Sequence, residues 1–163
     1  MYKFICFIAL VLLSCKTTSY YIVRHAEKET STTNTTMTSD VPLSEAGKQR
    51  AEALKELLKN ESIKHVFSTN YIRTKSTAQP LAEAIHVPTE TYDPKDPQFV
   101  SKLKTLNGNV LVVGHSNTVD DLVNELAGKK EIQGDLPDSA YGDLFVVKKK
   151  GKRMIFEKKH FGE

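Results

Sequence analysis

The chain has 163 residues, enough for one domain with a real core and too few for two of ordinary size. Charged residues make up 26% and hydrophobic residues 39%, the balance of an ordinary globular protein. A net charge of +3 is too small to argue for a nucleic-acid partner.

The first residues stand apart from that domain. MYKFICFIALVLLSC carries one cation, Lys3, and then an apolar run from Phe4 to Leu13. A run of about ten residues is too short to span a bilayer, which needs roughly 20, and has the length of a signal-peptide core. It reads on into Leu12-Leu13-Ser14-Cys15, which looks like a bacterial lipobox, with Cys15 the lipidated first residue of the mature chain. Cys6 and Cys15 are the only cysteines, so nothing downstream can form a disulfide or a thiolate metal site. The expected organisation is a signal peptide over 1–14, a tether over 15–19 and one domain over 20–163. The five residues from Cys15 to Tyr20 reach at most about 17 Å. The domain is therefore expected close against a membrane, as an exported lipoprotein on the periplasmic or cell-surface face.

Tyr20 to Val23 is a β-branched and aromatic run that predicts a buried strand, and it ends in Arg24 and His25. Residues 29–40 are rich in Ser, Thr and Asn and read as a loop. Ser44 is a good N-cap for a helix in which Leu54, Leu57 and Leu58 recur at helical spacing up to about Asn60. His65 to Ser68 predicts a short strand. Tyr71 to about Ile85 predicts a helix that Pro80 should kink or break. A short strand over Val87 to Tyr92 and a Pro-punctuated loop from Asp93 to Pro97 follow, then a short helix from Gln98 to Leu106. Asn109 to Gly114 is a near-continuous apolar run, as suits a central strand covered on both faces, and His115 follows at once. A helix over Thr118 to Ala127 and a terminal hairpin around Lys150-Gly151 complete the chain. Strands alternating with helices imply an α/β layered fold with a mostly parallel sheet.

In open α/β sheets ligands bind outside the carboxyl ends of the strands. Two strands here end in Arg24-His25 and Gly114-His115, and a third is followed by Arg73 near the start of a helix. Each residue alone reads as a solvated strand end or a surface cation. Together, two Arg and two His suit a dianionic phosphoryl group, because guanidinium forks bind phosphate oxygens and a neutral imidazole can attack phosphorus.

On these residues the chain resembles the histidine phosphatase superfamily, of phosphoglycerate mutase-like fold, in its small phosphatase branch. The family's Arg-His-Gly motif stands as Arg24-His25-Ala26, followed by Glu27. Its Pro-Leu-Thr-x-x-Gly turn stands as Pro42-Leu43-Ser44-Glu45-Ala46-Gly47, before Arg50-Ala51. Its Ser-x-x-x-Arg segment stands as Ser68 to Arg73 with one extra residue, and Thr77-Ala78 follow on pattern. Its strand ending in Gly-His stands as Val112-Val113-Gly114-His115. The resemblance implies a three-layer α/β/α fold with a mostly parallel central sheet and, here, a C-terminal hairpin. It implies that His25 is the nucleophile that becomes phosphohistidine and that Arg24, Arg73 and His115 form the rest of the phosphate pocket. It implies no metal or other cofactor.

Two departures matter. Ala26 replaces a glycine, so an ordinary φ is expected there. Many members also use a Glu after the third strand to protonate the leaving oxygen. Here that region reads Glu90 to Asp96; Asp93 is the best-placed substitute and Asp96 the second, against the plainer reading of both as loop carboxylates. A phosphoramidate leaving group needs less help, so the missing Glu bears on substrate choice. No long insertion separates Arg73 from Phe99, which favours a small phosphatase with an open, shallow site.

Other readings weigh less. Gly114-His115-Ser116-Asn117-Thr118 lacks the fifth-position Gly of a serine-hydrolase elbow. A non-catalytic lipoprotein binding a phosphorylated ligand is the stronger rival. The C-terminal lysines, from Lys148 to Lys159, read first as protection of a sheet edge and second as contact with anionic headgroups. The expected function is metal-independent hydrolysis of a small extracytoplasmic phosphomonoester, with phosphohistidine as the alternative substrate. The expected partners are that substrate and, through lipidated Cys15, a membrane.

Overall fold

The computed structural model describes residues 17–30 and 40–162. The signal peptide expected over 1–14, the lipidation candidate Cys15 and most of the polar stretch 29–40 lie outside the described residues.

In chain order the elements are β1 (Thr18–Arg24), α1 (Glu45–Leu58), β2 (Ile63–Ser68), α2 (Ile72–Ala84), β3 (Thr89–Thr91), α3 (Phe99–Thr105), β4 (Asn109–Gly114), α4 (Val119–Ala127), β5 (Asp143–Lys150) and β6 (Arg153–His160). The six strands form one sheet in the order β3-β2-β4-β1-β5-β6. β1 to β4 are mutually parallel, and the β5–β6 hairpin runs antiparallel at one edge. The expected α/β class with a mostly parallel sheet and a C-terminal hairpin is what the chain adopts.

Alternation along the strands builds two cores. Tyr20 and Ile22 of β1 point to one face, where they meet Phe99, Val100 and Leu103 of α3 and Val119, Val123 and Leu126 of α4. Tyr21 and Val23 point to the other face, against Leu54 and Leu58 of α1 and Ala78, Leu81 and Ala82 of α2. The sheet is therefore the middle of three layers. Val110 to Val113 of β4 are wholly buried, and each such side chain contributes roughly 1.5–3 kcal/mol relative to exposure. This makes the β1–β4 seam the most deeply held part of the molecule.

Local chemistry sets several boundaries. Ser44 caps α1 as expected, its hydroxyl accepting from Gly47 N at 3.1 Å. Gly47 is there because a Cβ would fall 2.1 Å from the Glu27 carbonyl oxygen; only glycine lets α1 begin against the turn that leaves β1. β1 starts at Thr18, two residues before Tyr20, because Thr18 and Ser19 already pair with Lys149 and Lys148. That shortens the tether expected over 15–19. α2 runs unbroken through Pro80, so of the expected kink or break the break does not occur. Thr77, Ala78, Leu81 and Ala82 are buried on either side of the proline, and this packing outweighs the hydrogen bond it removes. β3 is only three residues long, because only Thr89 to Thr91 reach β2.

Candidate active site

α1 and α2 cover one face of the sheet and α3 and α4 the other, so the chain leaves β1 and β4 toward opposite faces. The crevice this opens lies at the carboxyl ends of the two adjacent strands, where ligands bind in such sheets. Arg24 pairs in register with Gly114, and His25 N donates to the Gly114 carbonyl at 2.9 Å. The register thus sets His25 beside His115, with ring centroids 5.5 Å apart in an edge contact.

His25 is 5% exposed, and its tautomer is fixed by the backbone. Its Nδ1 lies 2.8 Å from the Ala26 carbonyl, which can only accept, so Nδ1 carries the proton and Nε2 keeps its lone pair. The peptide that does this is itself held, since Ala26 N donates to Thr77 Oγ1 at 2.9 Å and Thr77 Oγ1 donates to the Arg73 carbonyl at 2.8 Å. This gives Thr77 of α2 a definite task. Ala26 has no positive φ, in keeping with the expectation drawn from its Cβ. Burial, then the charges of Arg73 and Arg24, press the His25 pKa down to about 4, against the opposing pull of the Ala26 carbonyl. At neutral pH the imidazole is uncharged.

His115 is fixed in a different way. Arg73 Nη2 stands 3.4 Å from its Nδ1, and a guanidinium has no lone pair, so Nδ1 is the acceptor. Nε2 then carries the proton and donates to Thr69 Oγ1 at 2.8 Å. Thr69 is tied in turn to Thr74 Oγ1 at 2.9 Å. Burial, then Arg73 and Arg24, push His115 down to about 4 as well. Two neutral imidazoles and two permanent cations make a site that favours an arriving anion.

Arg24 is 4% exposed and is held by the segment that follows α4. Its Nη1 donates to the carbonyls of Pro137 at 2.9 Å and Asp138 at 3.2 Å. Its Nη2 reaches Asp138 Oδ1 at 3.3 Å and the Tyr141 hydroxyl at 3.5 Å, and its Cζ lies 4.3 Å from the Tyr141 ring centroid. Its Nε is buried and has no hydrogen-bond partner among the described residues. A buried unpaired N–H is costly, and an oxyanion at the site would satisfy it. Arg73 sits over the Tyr71 ring at 4.5 Å and lies 3.9 Å from Asp40.

The structure thus brings Arg24, His25, Arg73 and His115 together. The two acid candidates, Asp93 and Asp96, each use one carboxylate oxygen within their own loop. Asp93 Oδ1 accepts from Lys95 N, and Asp96 Oδ1 from Gln98 N, each at 2.9 Å, so both carboxylates cap turns of their own loop. The carboxylates found against the site's arginines are Asp40 and Asp138 instead. Sequence reasoning missed these two, along with Thr69, Tyr71 and Tyr141. Thr69 follows the end of β2, and the strand-end argument that found His25 applies to it too. Asp138 and Tyr141 lie in a stretch without periodicity or motif, and nothing local marks them. Among the described residues no group of three or more His, Cys, Asp or Glu could hold a metal ion.

Residues 20–94 match the model of the histidine phosphatase superfamily, branch 1. A curated relative, the probable phosphoglycerate mutase GpmB of Salmonella choleraesuis, is 32% identical over 109 residues, which cover 66% of this chain and 46% of that protein. The chain spans less than half the length of the curated relatives it matches. Among solved structures, a candidate phosphohistidine phosphatase SixA from Nakamurella multipartitia aligns over 91% of this chain and 96% of its own, with a TM-score of 0.63 and 19% identity. A candidate α-ribazole-5′-P phosphatase from Escherichia coli aligns over 88% and 96%, with a TM-score of 0.66 and 16% identity. The fold is therefore phosphoglycerate mutase-like.

Proposed function

We propose that this chain, which belongs to the histidine phosphatase superfamily, hydrolyses a phosphomonoester through a phosphohistidine formed on His25. The observation that carries the reading is the backbone bond from His25 Nδ1 to the Ala26 carbonyl, which leaves Nε2 as a neutral nucleophile between two arginines. In the first step the Nε2 lone pair forms a bond to phosphorus while the bond from phosphorus to the alcohol oxygen breaks. The alcohol departs with a proton taken from solvent or a nearby acid. Arg24, Arg73 and His115 stabilise the charge on the three spectator oxygens. Water then attacks phosphorus, the P–N bond breaks, and Nε2 recovers its lone pair. This chemistry needs no metal.

The test is release of phosphate from an aryl phosphate, with chelator present, by the purified chain and by His25→Ala. Turnover in the parent and none in the variant supports the reading. Equal turnover in both removes His25 from the reaction. A second reading, hydrolysis of a phosphoramidate such as phosphohistidine, is favoured by one feature: Asp93 and Asp96 each give one oxygen to a turn of their own loop, and a nitrogen leaving group needs little acid assistance. A phosphoramidate substrate assayed alongside separates the two.

We also propose that Cys15 is lipidated and holds the chain to a membrane on the outer side of the cell's inner barrier. Cys15→Ala should then move the protein to the soluble fraction. Unchanged fractionation would remove the anchor.

A further inference from the structure

We propose that the rim of the site selects phosphomonoesters whose alcohol is flat, apolar and free of a second negative charge. This deepens the phosphatase reading and rests on it. Two independent features of the rim carry the inference.

The first is apolar. Among the described residues only four large hydrophobic side chains are exposed: Leu57, Tyr71, Ile72 and Ile155. Leu57 and Ile155 belong to α1 and β6, but Tyr71 stands against His115 at the site, and Ile72 follows it in the chain. Tyr71 is 38% and Ile72 48% exposed. The Tyr71 ring is not loose, because its edge contact with His115 has centroids 5.0 Å apart and Arg73 lies over it. An aromatic ring held rigid beside a catalytic imidazole, yet open to solvent, is a platform on which another flat group can stack at little entropic cost. Across the site, Tyr141 stands 6.1 Å from His25, centroid to centroid, so both imidazoles are flanked by tyrosines.

The second is electrostatic. Asp40 and Asp138 are both at least one-third exposed, and each stands beside one of the two site arginines. They set one negative charge beside each site arginine, at the solvent-facing edge of the phosphoryl subsite. A substrate bearing a carboxylate or second phosphate on its alcohol part would meet that charge as repulsion. A phosphoglycerate-type substrate is thereby disfavoured, whereas a neutral aromatic alcohol is not.

The experiment compares kcat/KM for 2-phenylethyl phosphate, glycerol 3-phosphate and 3-phosphoglycerate, three esters with similar alkoxide leaving groups. The expected order is phenylethyl above glycerol by at least about tenfold, with 3-phosphoglycerate slowest. Tyr71→Ser should collapse the ratio of the first two toward one through KM. Asp138→Asn should narrow the gap between the last two. Equal kcat/KM for the first two esters, or a preference that survives Tyr71→Ser, overturns the apolar platform. Turnover of 3-phosphoglycerate at the phenylethyl rate overturns the charge argument. Release of phosphate from none of the three, nor from an aryl phosphate, overturns the phosphatase reading itself.

Discussion

The two sides of the site are built differently. On the strand side, His25 and His115 hang from β1 and β4, and each is tied down by a partner from α2 or the end of β2: Thr77 through Ala26, and Thr69 directly. These groups are buried and cross-linked to the core. On the loop side, residues 137–141 lie over Arg24 and are held chiefly by its guanidinium, with the Tyr141 ring also against His25 and the Asp138 side chain fully exposed. The contrast suggests a division of labour. In the proposed reaction the strand side would fix protonation and attack geometry, and the loop side would help to shape what can approach.

The largest expected effect tests the strand side. With His25 pressed down to about 4, its Nε2 is unprotonated at neutral pH, so kcat/KM corrected for the second ionisation of the phosphomonoester, near 6, should hold steady from pH 7 to near 4 and then fall at least about tenfold per unit, His115 titrating there too. The sign follows from the depressed value, since acid adds the proton that blocks attack. An acid limb near 6.5 that survives the correction for the substrate's own ionisation would mean a solvated, ordinary imidazole. Next is Thr77→Val, which leaves the buried Ala26 N–H without its partner and should cost about 1–3 kcal/mol in a denaturation midpoint. It should also lower kcat more than it raises KM, because it frees the peptide that sets the His25 tautomer. A variant that is destabilised with kcat intact would make Thr77 purely structural.

The loop side should respond less. Tyr141→Ala removes the ring over Arg24, a contact worth about 0.5–2 kcal/mol, and should raise KM while lowering the melting temperature by no more than about 8 °C. A collapse of kcat instead would erase the distinction between the two sides. The smallest effect is expected for Asp93→Asn, which keeps most of the cap on Lys95 N and should change kcat by less than about twofold, whereas loss of a general acid typically costs about 100-fold or more. A loss on that scale would restore Asp93 to the chemistry.

The same contrast explains what could be read from the chain. Residues at strand ends announce themselves, because an apolar run that stops at Arg24-His25 or Gly114-His115 must deliver those side chains to the rim of a sheet. Ser44 was legible for the same local reason, since a helix start needs a cap, whereas Gly47 entered only through the motif it completes and its close approach to Glu27 is visible only in the fold. Asp138 and Tyr141 were not, because what places them is a contact more than 110 residues away along the chain. Pro80 misled because its local penalty is visible in the sequence while the packing that overrides it is not. The loop after β3 carries its information differently. Its carboxylates stand where an acid is wanted, but short Asp-x-Lys and Asp-x-Gln turns already use them.

The direction of β1 has a consequence of its own. The strand begins at Thr18 at one end of the sheet and ends in Arg24-His25 at the other, a rise of about 20 Å over its seven residues. Whatever holds the chain upstream of Thr18 holds it by the foot. A protein attached through Cys15 would therefore stand with its reactive face turned to the open water, like a lamp on a short post. It would serve molecules diffusing past, and headgroups in the bilayer beneath would be out of its reach.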